Sequence, residues 1–495
     1  MTDLIDHALG TPAPPPAAPA FMIGVPPQAP KKEAGPPRWD NWKQPQSRFK
    51  QAKARFLITP PRFLLWIVRA VPAPRIPLLN WVFVGRYDEV LEVLNRPDVF
   101  GVPFSAEVAR LNDGLPPTKV PPPDGKLPGT QFLLGEDDRA KHNAQLHEVM
   151  SAFSRDDIAT LVVPIAADCA AACVNDASPE KFEVMQGLIT KVALEICTKY
   201  FGVPVGDNPL KFACSVFTVS EHLFGKPPIK PQPDCDKAAN YLRYFVDRAI
   251  DLAVANPHRR GDVIVDRLVT KYETNGTLGD AKRKQTRAFL MGMIVALIPN
   301  NTMAGQHILE VLLKKNLVDV LLMKKKKRQK TRALHDAAVA AWSGDDDRLE
   351  SVLFEALRFM PLNPGPFRTC KEDYVLAEGT PYEKHIKKGS TVIALLFAAM
   401  FDPLRVVEPR KYDPSRAKSD HLHFSAGMHS CVGLMIARAH ITQTFKALLQ
   451  RRCAIKRAPG TRLKMRSAAP VWFEISSKVR TRAPGPDLDP EQELS

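Results

Sequence analysis

The residues that most restrict this chain lie toward its C-terminal end. In Asp420-His-Leu-His-Phe-Ser-Ala-Gly-Met-His-Ser-Cys-Val-Gly-Leu-Met-Ile-Ala-Arg438, one cysteine sits in a glycine-bounded turn ahead of an apolar helical pattern. Gly427 and Gly433 flank Cys431, and residues without a Cβ suit a backbone laid against a flat group. The free N–H groups at the start of the following helix point back toward the sulfur; with the positive end of the helix dipole they favour thiolate over thiol. A lone cysteine is more often a small buried core residue. The pattern around this one reads instead as a metal ligand, with Cys431 expected to bind the iron of a flat macrocycle and push electron density onto it.

At Phe424, Gly427, His429, Cys431 and Gly433 the stretch matches the haem-binding signature of the cytochrome P450 family, which the chain resembles from about residue 56 to 475. The resemblance implies a mainly α protein with small β-sheets (α+β), a triangular helical fold around a buried haem b. It also implies that His429 donates to a haem propionate and that Phe424 packs beside the sulfur. Further matches follow in the family's order. Glu355 and Arg358 lie three apart, hence on one face of a helix that opens at the acidic residues from Asp345, and resemble the family's Glu-x-x-Arg element. Arg416, in Tyr412-Asp-Pro-Ser-Arg416, resembles the arginine that completes its buried charge network; the three would hold the cysteine loop in place. Arg368 ends an extended, proline-locked stretch from residue 361 and stands where an arginine pairs with a propionate through bidentate hydrogen bonds. His142 falls where the family often has a histidine at the propionates, whereas Leu146, with His147 beside it, replaces the arginine usual one turn on.

From about Lys282 to Lys315 runs a long apolar helix pattern containing Ile298-Pro-Asn-Asn-Thr-Met-Ala304. Pro299 removes a hydrogen bond to residue 295 and presses on that carbonyl, at a local cost of about 3 kcal/mol, so the helix is expected to open or kink there. In the P450 pattern this helix crosses the iron and carries an acid beside a threonine that relays protons to bound oxygen. Aligned that way, Thr302 takes the threonine position and Asn301 the acid position. An amide donates and accepts hydrogen bonds but does not exchange a proton near neutral pH. Two chemistries stay open: activation of dioxygen with Thr302 and water as the relay, or use of a peroxide or lipid hydroperoxide oriented by Asn300 or Asn301. Both asparagines equally suit the backbone groups freed by Pro299.

The frame around these motifs is expected to be one large domain at 56–480, with a disordered Pro/Ala-rich arm at 1–55 and a flexible acidic tail at 481–495. Trp81–Val84 reads as a strand and Tyr87–Leu94 as a helix. The Pro/Gly-rich stretch 101–130 is long enough to be a functional loop, and in the family this region closes over the substrate. Amphipathic helices fill 162–258, broken at Pro204, Pro209 and Pro227-Pro228.

Eight cysteines without a CxxC, and no secretory signal, point to a reducing compartment, the cytoplasm. The apolar run Phe63–Val68 is too short to span a bilayer and stops at Arg69, so no transmembrane anchor is expected. A net charge of +16 is compatible with nucleic acid, anionic lipid or an acidic protein partner. The densest basic run, 324–332, reads as a solvated helix end or, through the resemblance, as a dock for an acidic ferredoxin or flavodoxin-type electron donor. The leading expectation is a monomeric P450 monooxygenase, without nucleic acid, inserting one oxygen atom into an apolar small molecule with electrons from a separate redox partner. A P450-fold peroxygenase or hydroperoxide-rearranging enzyme is the nearest rival. A non-catalytic basic binding protein is the third reading, and it leaves the cysteine loop unexplained.

Overall fold

The computed structural model describes residues 62–76, 80–117, 129–225, 229–314, 332–461, 463–466 and 469–484, all within one compact unit, 38–495. The expected arm at 1–55, the basic run up to residue 331, Pro227-Pro228 and the tail from 485 lie outside the described residues. Helix α1 (Arg62–Ala70) leads to β1 (Arg75–Ile76) and β2 (Trp81–Val84). Val82 and Val84 alternate inward along β2, as one buried face of a strand requires. Helix α2 (Tyr87–Asn95) buries Val90, Val93 and Leu94, and β3 (Phe100–Gly101) follows.

The stretch expected to be one long loop contains α3 (Ser105–Asp113). Its SAEVARLND sequence has neither proline nor glycine, and Gly114 closes it with a left-handed φ of 68°. Helix α4 (Arg139–Met150) is capped by Asp138, whose side chain accepts from the Ala140 and Lys141 N–H groups. Then come α5 (Val163–Asp176), β4 (Phe182–Glu183), α6 (Thr190–Lys199), α7 (Pro209–Phe224), α8 (Pro233–Ala255) and α9 (Ile264–Tyr272). Pro209 opens α7 rather than breaking a helix, because a first-turn N–H has no intrahelical partner to lose.

Helix α10 (Asp280–Leu312) is 33 residues long, roughly 50 Å at the α-helical rise. From residue 288 onward it is largely apolar and, apart from one half-buried stripe, buried up to residue 309, the mark of a core helix. Around it stand α11 (Ala333–Ser343), α12 (Asp346–Phe359), α13 (Leu396–Ala399) and α14 (Leu434–Arg451), and α10 itself packs on α3, α6, α7, α8, α12 and α14. The helix is not broken at Pro299 but runs through it from Asp280 to Leu312. Proline leaves only the Val295 carbonyl without its helical donor, and burial of Val295, Ile298, Ala304 and Ile308 on both sides outweighs a local cost of about 3 kcal/mol.

A five-stranded sheet has the order β1-β2-β8-β5-β3, with β5 (Phe367–Cys370) and β8 (Thr391–Ala394). Strands β2 and β8 are parallel, with Trp81 opposite Thr391, and the other pairs are antiparallel. The segment expected to be extended from residue 361 becomes a strand only at Phe367, since Pro361, Pro364 and Pro366 have no N–H to give a ladder. Strands β6 (Tyr374–Leu376) and β7 (Lys384–Ile386) form a small ladder. Strand β9 (Arg452–Arg457) follows α14, and β10 (Lys464–Arg466) pairs with β11 (Ala469–Trp472). Strand β12 (Glu474–Val479) lies between β4 and β9.

Candidate functional site

The turn ahead of α14 is shaped by its own backbone. The Cys431 N–H donates to the Phe424 carbonyl at 2.9 Å, and the Ser430 N–H to that of Gly427 at 3.1 Å. Gly427 has a left-handed φ of 72°, and a Cβ there would stand 2.3 Å from the Leu94 carbonyl oxygen. Glycine is therefore required by the close approach of α2, not only by a flat ligand. Gly433 differs: its φ is −89°, and a Cβ would meet nothing closer than Met293 Cε at 3.8 Å and Cys431 Sγ at 3.9 Å. The protein leaves open room there. Phe424 packs obliquely on Phe354, ring centroids 5.6 Å apart, with the Arg438 guanidinium 5.7 Å from its ring.

Cys431 is exposed, yet burial pushes its thiol up while a hydrogen bond from the Gly433 N–H pulls it down. A sulfur that is both accessible and deeply enclosed borders an interior space. Among the described residues no group of three or more His, Cys, Asp or Glu side chains could hold a bare metal ion, so a single thiol facing open room fits an iron carried in a pre-assembled macrocycle.

Three of the expected propionate contacts converge near one carboxylate. His429 Nε2 lies 3.2 Å from Asp137 Oδ1, and its buried Nδ1 has no partner. The His142 ring meets the His429 ring edge-on at 5.4 Å, and His142 Nε2 is also buried without a partner. Arg368 is buried; its Nη1 donates to the Phe367 carbonyl at 2.9 Å. Burial pushes the Arg368 guanidinium down to about 10, against the opposing charge of Asp137. Asp137 is itself bound by Lys371 at 2.9 Å and by the Val102 N–H at 3.2 Å. Orphaned nitrogens beside a buried cation want an anion, and the two carboxylates of haem meet that need. Asp137 and Lys371 carried no sequence signal, because their role depends on β3 and β5 bringing residues 101 and 369 opposite each other.

Glu355 and Arg358 are both fully buried and doubly bonded, at 2.7 and 2.8 Å. Arg358 also donates to the carbonyls of Met400, Pro409 and Lys411. Arg416 Nε stands 3.6 Å from Glu355, and its Nη1 donates to the Val407 carbonyl. The sequence reading missed one member, His421, whose Nε2 is 3.0 Å from Glu355 Oε2 and whose ring stacks on that of His423 at 5.3 Å. The His-Leu-His pattern at 421–423 was the available signal. This network ties α12 to the chain that leads into the cysteine loop.

Over the loop passes α10, brought there by Met293 beside Gly433. Between residues 288 and 309 of this helix only Gly292, Ala296, Asn300 and Met303 are half-buried; the rest are buried. Their spacing of four, four and three residues makes one open stripe. Thr302 is not on it: its hydroxyl lies 3.0 Å from that of Thr190 on α6, fully enclosed. Asn301 is likewise buried, with Nδ2 unpartnered. The expected register therefore shifts by two residues. Asn300 takes the open position and Pro299 the one before it, because the face of a helix is chosen by its neighbours, not by its sequence alone.

A small apolar cavity of about 20 Å³ opens on the same helix, lined by Phe104, Val108 and Leu111 from the α3 region, by Phe132, by Val219 and Leu223 of α7, and by Val295 of α10. None of its lining residues is charged. Its roof is fastened by buried charges: Glu107 of α3 is bonded by Arg110 at 2.7 Å and by His222 of α7 at 2.8 Å.

The cytochrome P450 family profile matches residues 348–473. Cytochrome P450 105C1 of Streptomyces sp is 36% identical over 118 residues, 24% of this chain and 30% of that protein. Cytochrome P450 monooxygenase PikC of Streptomyces venezuelae is 25% identical over 299 residues, 60% of this chain and 61% of that protein. The chain thus spans less than two thirds of the length of these curated relatives. Its fold is similar to that of cytochrome P450 CYP109Q5 from Chondromyces apiculatus, with a TM-score of 0.64 at 18% identity over 86% of this chain and 97% of the other. The Tepidiphilus thermophilus P450 heme domain gives a TM-score of 0.65 at 17% identity over 85% and 94%.

Proposed function

Because this chain belongs to the cytochrome P450 family, whose cofactor is haem, we propose that it is a haem-thiolate oxidoreductase that inserts one oxygen atom into an apolar small molecule, with electrons from a separate acidic ferredoxin or flavodoxin-type partner in the cytoplasm. The observation that carries this reading is the enclosed yet accessible Cys431 thiol with the Gly433 N–H aimed at it. Bound haem supplies the oxygen-activating iron. The chain's own residues do the rest: Gly433 donates to the sulfur and favours its thiolate, Arg368, His142 and His429 hold the propionates, and the uncharged, apolar lining beside α10 favours an apolar substrate.

A second reading rests on α10. Its open stripe carries no acid, and the residue ahead of Asn300 is a proline, so neither can pass a proton. This favours an oxygen source that arrives already reduced, a peroxide or lipid hydroperoxide held by the Asn300 amide. The first experiment is the optical spectrum of the reduced protein under carbon monoxide. A strongly red-shifted Soret band that disappears in Cys431→Ala supports the haem-thiolate reading; the same band in both proteins refutes it. Turnover with a hydroperoxide, compared with turnover on an electron donor and dioxygen, then separates the two chemistries.

A further inference from the structure

Helix α1 is built inside out. Arg69, in its last turn, is 9% exposed and turned inward, donating to the Ala398 carbonyl of α13 at 3.1 Å. Among the described side chains its outward ones are apolar: Trp66 is 58% exposed and Ile67 39%, Ala70 is exposed, and Val71 just beyond is 44% exposed. Residues 66, 67, 70 and 71 share one face of a helix, and Ile76 on the neighbouring β1 is exposed as well. A water-facing helix normally shows the reverse arrangement, and a contiguous apolar patch marks a contact surface.

The sequence just ahead names the occupant. Residues 38–62 carry seven Arg or Lys, with Asp40 the one acid, and interleave Trp39, Trp42, Phe49 and Phe56 among them. Basic residues alternating with aromatics suit the headgroup layer of an anionic membrane, where the cations meet phosphates and the rings sit at the apolar boundary. A second copy of this chain fits the patch poorly, since two molecules each of net charge +16 repel one another.

We propose that the outward face of α1 seats this protein on the surface of an anionic lipid bilayer, as a peripheral attachment rather than a span. This goes beyond the proposed oxidoreductase activity and does not depend on it. The test is co-sedimentation of the full-length haem-loaded protein with vesicles of phosphatidylcholine alone or mixed with phosphatidylglycerol. The protein is expected to sediment with the mixed vesicles, to be released by salt, and to lose about tenfold or more in affinity in the double variant Trp66→Ser, Ile67→Ser, with circular dichroism and haem absorbance unchanged. Equal binding by the variant, or no binding to either vesicle, overturns the proposal. A dimer that forms without lipid and is abolished in the same variant also overturns it, in favour of self-association.

Discussion

The Thr302 hydroxyl lies 3.0 Å from that of Thr190, enclosed between α10 and α6, while Asn300 occupies the open side of the same helix. The two positions lie about 200° apart around the helix, so the open side belongs to Asn300 and not to Thr302. Asn300→Ala is expected to lower turnover by about 10- to 100-fold. Thr302→Val should leave turnover within about threefold and cost about 1 kcal/mol of stability. Steady-state rates and urea midpoints of the two variants check this, and the opposite order of rates would refute the assignment.

The two glycines of the cysteine loop should separate folding from haem binding. Gly427→Ala forces a Cβ to 2.3 Å from the Leu94 carbonyl at a left-handed backbone position, so it should destabilise the protein with or without haem by about 1–3 kcal/mol. Gly433→Ala meets no protein atom closer than 3.8 Å and should leave the haem-free protein as stable as before while weakening haem retention. Thermal melts of both forms distinguish the two effects.

Arg368 is a buried cation whose neighbouring histidine nitrogens have no partners. If the propionates complete this cluster, Arg368→Leu should speed haem transfer to an excess of a haem-scavenging globin by about tenfold or more, and Arg368→Lys should restore part of the retention. An unchanged transfer rate in Arg368→Leu would place the propionates elsewhere.

Burial pushes the Glu355 carboxyl up, but hydrogen bonds from Arg358 and His421 outweigh it and hold the group at about 2. Its unfolded value is near 4.3. A carboxylate depressed on folding stabilises above the unfolded value and loses that contribution as pH falls toward the folded one, so stability should drop between about pH 4.5 and pH 2, by roughly 3 kcal/mol. Urea midpoints measured across this range should show the fall in the wild type and a much flatter profile in Glu355→Gln, which will be less stable throughout because it leaves Arg358 unpaired.

Residues whose meaning is fixed by near neighbours were legible without a structure. Strand Trp81–Val84, the long core helix and the i, i+3 placement of Glu355 and Arg358 follow from local spacing, whereas the burial of that pair and the reading of the Cys431 loop came from the family resemblance. Residues whose meaning depends on which distant element arrives were not. Asp137 beside His429 and His421 beside Glu355 are contacts across 292 and 66 positions of chain. Pro299 misled because a propensity acts locally, whereas α10 is held on several sides by other helices. The open stripe through Asn300 exists only once those helices have chosen which faces to cover.

Glu355 couples the burial of one helix to a stretch of chain well beyond it. Its partners come from residues 358, 413, 416 and 421, so its charge is neutralised within α12 by Arg358 alone, and Arg358 in turn waits for the carbonyls of residues 400, 409 and 411. Sealing α12 into the interior before that chain arrives would strand both ions in a medium that does not solvate them. The burial of α12 is therefore coupled to the wrapping of residues 400–421, and the Cys431 turn, which begins where that wrapping ends, rests on a helix whose charges that same stretch satisfies.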